Sequence, residues 1–385
     1  MTCSMVSHFK WYGLLCHLAG TLHIRGLQRG PDSARASLRS WYALYASCCL
    51  LAVYAGEFVY ILQGARNEFQ GSHRSTKISY ILIYGFTQLK VAVNAVTSAF
   101  RASEFLEFFR TAQRFERDTG FRQSRDSFAK SRAFLVLRAV MFAIYCGAAA
   151  MTFAYLIEHY NETPSFASKT FFQTLAVLNF LLYLPHDTVY SIVLRPCCEV
   201  MVAYIRAQCE ELTLVARKTD HVSRMHCVRR LEQVRWNLCG IRDLKGRLER
   251  VWKWPLLLAG VNVLLSMSVD AAASFYKLVS GEGLFLSAVF TAYQAVDFAE
   301  LSMLSQMMVS EASRMKAVLR TMALRDSPEC YINQVVFLYD AVQPSEMALQ
   351  CGHFFKLNTP LVVTMAGAII TFSVILVQTV DQTQH

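Results

Sequence analysis

The chain has 385 residues, of which 54% are hydrophobic and only 17% are charged. This composition is too apolar for an ordinary soluble domain of the same length, and it predicts an all-α membrane protein that crosses the bilayer several times. The net charge of +10 could indicate a nucleic-acid partner. The basic residues lie in loops between apolar segments, however, so we expect the lipid bilayer as a partner and no nucleic acid.

Seven apolar segments are long enough to cross a membrane as helices. They run approximately over residues 41–63, 78–100, 133–157, 170–194, 255–280, 284–309 and 354–378. They divide the chain into a cytoplasmic N-terminal segment at 1–40, spans one to four within 41–194, a cytoplasmic helical loop at 195–254, spans five and six within 255–309, a cytoplasmic loop with a helix before the last span at 310–353, and the last span with a short extracellular tail at 354–385.

The basic residues outside these segments predict the orientation in the membrane. Thirty Lys and Arg residues lie in the loops on one side, and four lie in the loops on the other. Since basic loops stay in the cytoplasm, the N-terminus is predicted to be cytoplasmic and the C-terminus extracellular. This orientation argues against a G-protein-coupled receptor, whose seven spans begin outside the cell. The candidate glycosylation site Asn161-Glu162-Thr163 lies in a predicted outer loop, although Pro164 disfavours its modification.

Three cytoplasmic stretches carry helical patterns of apolar residues. The run from Trp11 to Ile24 is too short to span and predicts an amphipathic helix at the membrane surface. Apolar residues at steps of three, four and seven predict two amphipathic helices within 195–254. The pattern of 101–132 suits a helical extension of the second span.

Several residues in or beside the first four spans are unusual for lipid surroundings. Glu57 and Lys90 lie near mid-membrane, and they either neutralise each other or belong to a pocket. Pro185-His186-Asp187 predicts a kink and a local hydrogen-bonded pair in the fourth span. Cys197 and Cys198, just after that span, are either palmitoylated or buried and inert.

No pattern in the sequence indicates catalysis. There is no Walker loop, no His-Glu-x-x-His and no Cys-x-x-Cys, and Gly281-Glu282-Gly283 is predicted to form a tight turn between the fifth and sixth spans. The His and Cys residues of 195–254 lack the close spacing of metal ligands. We therefore expect neither an enzyme nor a metal or cofactor site.

Acidic and aromatic side chains indicate a candidate ligand pocket open to the outside. Asp270 in the fifth span and Asp297 and Glu300 in the sixth lie too deep to reach the surface. Buried carboxylates there either pair with Lys90 or line a water-filled cavity. Tyrosines in the outer halves of the spans suit the walls of a pocket, although tyrosine at that depth also anchors helices. The candidate ligand-binding residues are Tyr80, Tyr84, Lys90, Tyr155, Asp270, Tyr293 and Asp297.

The last predicted span has no charged residue between Leu357 and Val380. That length is about 36 Å of helix, enough to cross a hydrocarbon core of about 30 Å. At about 100° per residue, Thr371, Ile375 and Gln378 fall on one face. An amide is costly in lipid, so Gln378 needs water, protein or headgroups beside it.

The run Thr371-Phe372-Ser373-Val374-Ile375-Leu376-Val377-Gln378, at the end of a seven-span chain, resembles the C-terminal signature of insect gustatory receptors. That signature reads Thr-Tyr, five apolar positions and Gln-Phe, and this sequence departs from it at Phe372 and Thr379. The resemblance covers the architecture from about Trp41 onward. It implies a ligand-gated cation channel subunit in the plasma membrane of gustatory sensory neurons.

The resemblance also implies how the chain assembles and conducts ions. Four subunits, in a homo- or hetero-tetramer with other gustatory receptor subunits, would be joined by a cytoplasmic helical anchor. The anchor would include the run from Tyr331 to Gln350, although Pro344 interrupts this run. The last helix would line the pore. The expected ligand is a small-molecule tastant, with bitter or amino-acid-like compounds favoured over sugars. An odorant receptor subunit of the same superfamily and a secondary transporter remain alternatives. The candidate pore and gate residues are Thr371, Phe372, Ile375 and Gln378.

Overall fold

A computed structural model shows a chain built almost entirely of helices. It describes residues 4–67, 74–121, 136, 139–144, 146–147, 166–217, 221–276, 281–324 and 328–384. The helices are α1 Ser4–Leu18, α2 Trp41–Asn67, α3 Arg74–Phe100, α4 Ala102–Thr119, α5 Phe166–Asp187, α6 Val189–Arg217, α7 His221–Tyr276, α8 Gly281–Ala323, α9 Glu329–Ala341, α10 Pro344–Met347 and α11 Thr359–Gln384. Two short antiparallel hairpins pair β1 Ile24–Arg25 with β2 Arg35–Ala36, and β3 Gln350–Cys351 with β4 Phe355–Lys356.

The N-terminal helix α1 begins before the run predicted for it and ends earlier. It stops at Leu18, and the glycine that follows shortly after, Gly20, has a φ of 71°. Such a left-handed conformation is easy for glycine and ends the helix. Met5 and Phe9 of α1 are buried in the main core, whereas Trp11 is 74% exposed. One side of this helix therefore packs on protein rather than on the membrane surface.

A carboxylate from another helix satisfies the first amides of α1. Glu116 of α4 accepts hydrogen bonds from the backbone N–H groups of Ser4 at 2.6 Å and Met5 at 2.9 Å. The hydroxyl of Tyr204 donates to the same carboxylate at 2.5 Å. Because a helix N-terminus carries exposed N–H groups and partial positive charge, Glu116 both caps α1 and fixes it to α4 and α6.

Two helices share the segment 195–254, as the sequence pattern predicted, but neither is confined to it. α6 enters it from Val189 and ends at Arg217, and α7 runs from His221 through Pro255 to Tyr276 over 56 residues. The predicted apolar stripe is nevertheless confirmed, since its members are buried in the main core: Leu231, Val234, Leu238, Ile241, Leu244, Leu248 and Val251. Cys197 and Cys198 are fully buried as well, and burial raises the pKa of both thiols.

The connections between the apolar segments agree with the sequence predictions at some positions and differ at others. Gly281-Glu282-Gly283 forms the first turn of α8 and not a tight turn, so the prediction for these residues was wrong. The run from Tyr331 to Gln350 is interrupted as its proline predicts, since α9 ends at Ala341 and Pro344, which lacks an N–H, begins the short α10. As predicted, residues after Phe100 form a helix, α4, which bears six buried apolar side chains. The third predicted span lies largely outside the described residues.

By length and hydropathy alone, one segment within the described chain, Cys227–Ala271, could cross a membrane. The pair Val177–Asp187 and Val189–Arg217 also qualifies if it forms one span, and these two helices meet at an angle of 44°. The bend falls at Thr188, directly after Pro185-His186-Asp187. The predicted kink is therefore confirmed.

Candidate functional site

Lys90 forms a buried ion pair with Asp187, the last residue of α5. The Lys90 Nζ lies 2.7 Å from the Asp187 Oδ1, and 1% and 0% of the two side chains are exposed. The sequence analysis left open a pair between Lys90 and Glu57, and that possibility was wrong. Tyr84 and Gln88 donate hydrogen bonds to Glu57 from one side of α3. Lys90 is rotated from Gln88 by about 200° around the helix axis, so its side chain points away from Glu57.

The bend after α5 brings Asp187 to Lys90 and is itself held by α3. Asn94, one turn from Lys90, donates hydrogen bonds to the carbonyls of His186 at 3.0 Å and Asp187 at 2.8 Å. A broken helix leaves such carbonyls without their usual partners, which is costly inside a membrane. The Asn94 amide therefore stabilises the bend at the position where the charge pair forms.

A chain of amides extends this ion pair to the fifth and sixth predicted spans. Gln294 of α8 donates to the Asp187 Oδ2 at 2.9 Å, and it accepts from Asn262 of α7 at 2.7 Å. Thr87 of α3 donates to Asn262 at 3.0 Å. All of these side chains are buried. Each of these contacts joins a different pair of helices. The network therefore fixes how α3, α5, α7 and α8 pack against one another. We call Thr87, Lys90, Asp187, Asn262 and Gln294 the core network.

Glu57 of α2 has a separate set of partners. Its carboxylate accepts hydrogen bonds from Tyr84 at 2.7 Å, Asn179 at 2.8 Å and Gln88 at 3.3 Å. All three donors are neutral. Among the ion pairs of the described residues, none involves Glu57. Asn179 and Gln88 connect this cluster to α5 and α3, the helices that also carry Asp187 and Lys90. The Glu57 carboxyl group is therefore held by dipoles and not by a cation.

The other sequence-predicted pocket residues do not converge on one point. Asp270 is 6% exposed and accepts a hydrogen bond from Ser287 at 2.7 Å, so it does not pair with Lys90. Asp297 is 2% exposed and lies near Asp187. Glu300, the third acidic candidate, pairs with Arg195 at 2.9 Å. These carboxylates are thus distributed over three polar clusters.

The predicted tyrosines are divided in the same way. Tyr84 belongs to the Glu57 cluster, and Tyr293 is 7% exposed and packed with Leu184. For Tyr80 the structure describes only its helical backbone in α3. Tyr155 and Asn161 lie outside the described residues. The sequence analysis missed Asn179, Asn262 and Gln294, although each is a polar residue inside an apolar segment and could have been noted for that reason.

The last helix, α11, has one packed side and one exposed side. Ser373 is 5% exposed and donates hydrogen bonds to the carbonyls of Ile369 at 2.7 Å and, across to α7, Ser268 at 3.4 Å. Thr371 and Ile375 project about 160° away from Ser373 and are exposed, as is Gln378. The predicted face of α11 therefore lies on the exposed side of the helix.

The match to a protein family identifies the class of this fold. Residues 2–383 match the family described as 7tm Chemosensory receptor. The chain therefore belongs to this family of insect chemosensory receptors, and it is a multi-pass membrane protein of a receptor family rather than of an enzyme class.

Two solved structures show the same fold. The insect olfactory receptor OR5 from Machilis hrabei in complex with eugenol superposes with a TM-score of 0.68 at 11% identity, covering 96% of this chain and 97% of that one. The structure of OR5 described without eugenol gives a TM-score of 0.66 with the same identity and coverage. A comparison with curated protein sequences found no match. At this identity the likeness concerns the fold alone.

Proposed function

We propose that this receptor is a gustatory-type, ligand-gated cation channel subunit of the plasma membrane, with a cytoplasmic N-terminus, seven spans and an extracellular C-terminus. Four subunits surround a pore lined by α11. The single observation that carries this proposal is the division of α11 into a packed side at Ser373 and an exposed side with Thr371, Ile375 and Gln378. A side-chain amide on the exposed side of a membrane helix requires water or protein in contact with it. A central pore provides one.

The exposed side of α11 has the chemistry of a gate. Ile375 from each of four copies forms an apolar constriction that closes by excluding water. Gln378, one turn further toward the outside, supplies amide dipoles to passing cations. Thr371 and Phe372 complete the gate region. Replacing Ile375 by Ala is expected to raise the current in the absence of ligand, and replacing Gln378 by Ala to change cation preference.

The tastant site of this proposal lies in the outer halves of the spans, near Tyr84 and Tyr293. The Glu57 carboxylate there is held by neutral donors, so its negative charge can attract a cationic ligand group. Bitter or amino-acid-like compounds with an amino group fit this charge better than sugars. Tyr80, Tyr155, Lys90, Asp270 and Asp297 belong to the proposed site or support it. Ligand binding opens the channel only by its differential affinity for the open arrangement.

The charge of Glu57 makes a specific prediction for ligand selectivity. Glu57→Gln keeps the size of the side chain but removes its charge, so the half-maximal concentration of a cationic agonist should rise by about tenfold, while that of a neutral agonist stays within about twofold. Concentration–response curves from cells expressing each variant measure this. Glu104→Gln, which makes the same change at an exposed carboxylate outside the predicted spans, is the control and should shift neither concentration. Equal shifts for both agonist types would contradict the role of the Glu57 charge.

Expression in cells that lack other chemoreceptors tests the function as a whole. Currents are recorded during exposure to sugars, alkaloids, amino acids and volatile odorants, with the chain alone and with candidate partner subunits. Currents evoked by non-volatile compounds support the gustatory assignment. Responses restricted to volatile compounds would favour an odorant receptor subunit, the alternative suggested by the fold shared with OR5. Substrate uptake without ligand-gated current would indicate a transporter.

A further inference from the structure

A cavity lies at the inner ends of α2 and α3, away from the outer halves of the spans where the tastant site is proposed. Its volume is about 550 Å³, within the range of pockets for small molecules. Residues between α1 and α2 line one end of the cavity. His186 and Val189, on either side of the bend at Thr188, line another end. Since α2 begins the first predicted span and α3 ends the second, the cavity lies at the depth of the inner leaflet.

Small side chains make up part of the walls of this inner cavity. Its lining includes Ala43 and Ala46 of α2 and Ala92, Ala95 and Ala99 of α3. Small residues on two helices leave a slot with smooth sides, which suits a rigid and flat apolar body better than a branched one.

The cavity contains polar atoms that have no hydrogen-bond partner among the described residues. Ser98 is 2% exposed, and its Oγ is buried and unpaired. The Nδ1 of His23 is buried and unpaired as well. Buried polar atoms are normally satisfied by protein, water or ligand. The lining includes no Asp, Glu, Lys or Arg within the part of the chain that the structure describes, so the cavity favours a neutral ligand.

The inner cavity opens toward the lipid. Leu44, Val96 and Phe100 line it and are 56%, 55% and 71% exposed. Large apolar side chains exposed on a membrane protein at this depth face acyl chains. A ligand can therefore enter sideways from the inner leaflet without passing through water.

We propose that the inner cavity is a binding site for a sterol. The fused rings lie between the alanine-lined walls of α2 and α3, and the single hydroxyl exchanges hydrogen bonds with Ser98 and His23. A fatty acid or an anionic phospholipid fits less well, because no cation lines the cavity to meet its negative charge.

Photolabelling of the purified full chain tests this site. The receptor is reconstituted in phosphatidylcholine vesicles that contain a photoactivatable cholesterol analogue, and labelled peptides are identified by mass spectrometry. We expect label in residues 41–67 and 74–100, and displacement by unlabelled cholesterol. Ala95→Phe fills the slot and should reduce this label by about tenfold. Ala55→Phe, an equal change at an exposed position of α2 outside the cavity, should leave it unchanged.

A smaller variant keeps the test decisive if Ala95→Phe disturbs folding. Ser98→Ala removes only the hydroxyl and should weaken competition by cholesterol about fivefold, as expected for the loss of one hydrogen bond. Equal labelling of the Ala95→Phe and Ala55→Phe variants would overturn the proposal. So would displacement of the label by phosphatidylserine but not by cholesterol, or an unchanged affinity in a folded Ser98→Ala variant.

Discussion

Lys90 illustrates how a single buried cation is tolerated in this receptor. Its ammonium lies 2.7 Å from the Asp187 carboxylate, and neither side chain is open to solvent. Removing two charges from water costs several kcal/mol per ion, so such a pair requires further hydrogen bonds to be favourable. Gln294 supplies one of them at 2.9 Å. We interpret the pair mainly as a device that fixes the position of α3 against the bend at Thr188.

Replacing only one partner of the Lys90–Asp187 pair should destabilise the receptor far more than replacing both partners. Lys90→Met leaves the Asp187 carboxylate buried without its cation, and we expect a loss of about 3 to 5 kcal/mol of stability. Adding Asp187→Leu removes the second charge and should restore much of that loss. Thermal unfolding of the detergent-solubilised receptor, followed by size-exclusion chromatography, measures both variants.

An exposed ion pair provides the control for these variants. Arg247 and Asp243 are 33% and 50% exposed, so Arg247→Met should change stability by less than about 1 kcal/mol. If Lys90→Met unfolds at the same temperature as Arg247→Met, Lys90 and Asp187 are not the buried pair described above.

At the scale of the element, α1 is held to the long helices by a polar contact as well as by its apolar side. The Nε2 of His8 lies 2.6 Å from the Glu199 Oε2 of α6. Arg195 contacts Glu199 at 3.2 Å and Glu300 of α8 at 2.9 Å. Burial alone would raise the pKa of Glu199, but the hydrogen bond from His8 and the charge of Arg195 lower it below its ordinary value. The Glu199 contacts therefore favour the ionised carboxylate.

This lowered pKa predicts a dependence of stability on pH. A carboxyl group with a lower pKa in the folded state contributes stability above its unfolded pKa, and this contribution is lost as the pH falls through the folded value. Glu199→Gln should cost about 1 to 3 kcal/mol at neutral pH and make unfolding less sensitive to pH in the acidic range. Unfolding temperatures between neutral and acidic pH measure this. Glu104→Gln, in an exposed pair, is the control and should behave as the unchanged receptor; a Glu199→Gln curve parallel to that control contradicts the account.

The long helices also show what an apolar pattern can and cannot predict. Along α7 the apolar pattern changes near Pro255 from a stripe on one face to a continuous apolar run. The sequence therefore predicted a boundary there between a cytoplasmic loop and a span. The backbone does not break at this point, because the stripe of residues such as Leu244 and Leu248 is buried in the same core. Periodicity indicates which face is buried, but it does not indicate where one helix ends when two kinds of surroundings adjoin.

At the scale of the whole molecule, most of the helical order could be predicted, but the polar pairing could not. The first, second and sixth apolar segments lie within single helices, since long uncharged runs are strong signals. The pairing of Lys90 with Asp187 depends on the bend after α5 and on the rotation of α3. These features arise from packing between residues nearly one hundred positions apart, which local sequence does not encode. The same holds for the division of Asp270, Asp297 and Glu300 among separate clusters.

The packed and exposed sides of α11 are the feature on which the proposed assembly depends. Ser373 binds α7, and the opposite side, with Thr371, Ile375 and Gln378, is exposed. In a tetramer that side meets the central axis. Its residues should then be reached by water and cations from outside the cell, whereas residues on the flank of α11, such as the exposed Ile370, face lipid or protein.

Cysteine modification during current recording tests this central claim most directly. Gln378→Cys and, as the matched control on the same helix, Ile370→Cys are expressed and treated from the outside with a charged, membrane-impermeant methanethiosulfonate reagent. The account predicts that modification of Gln378→Cys changes the ligand-evoked current by at least about half, while Ile370→Cys is unaffected. Equal insensitivity of both variants at normal surface expression, or block only when the reagent is applied from the cytoplasm, would contradict it.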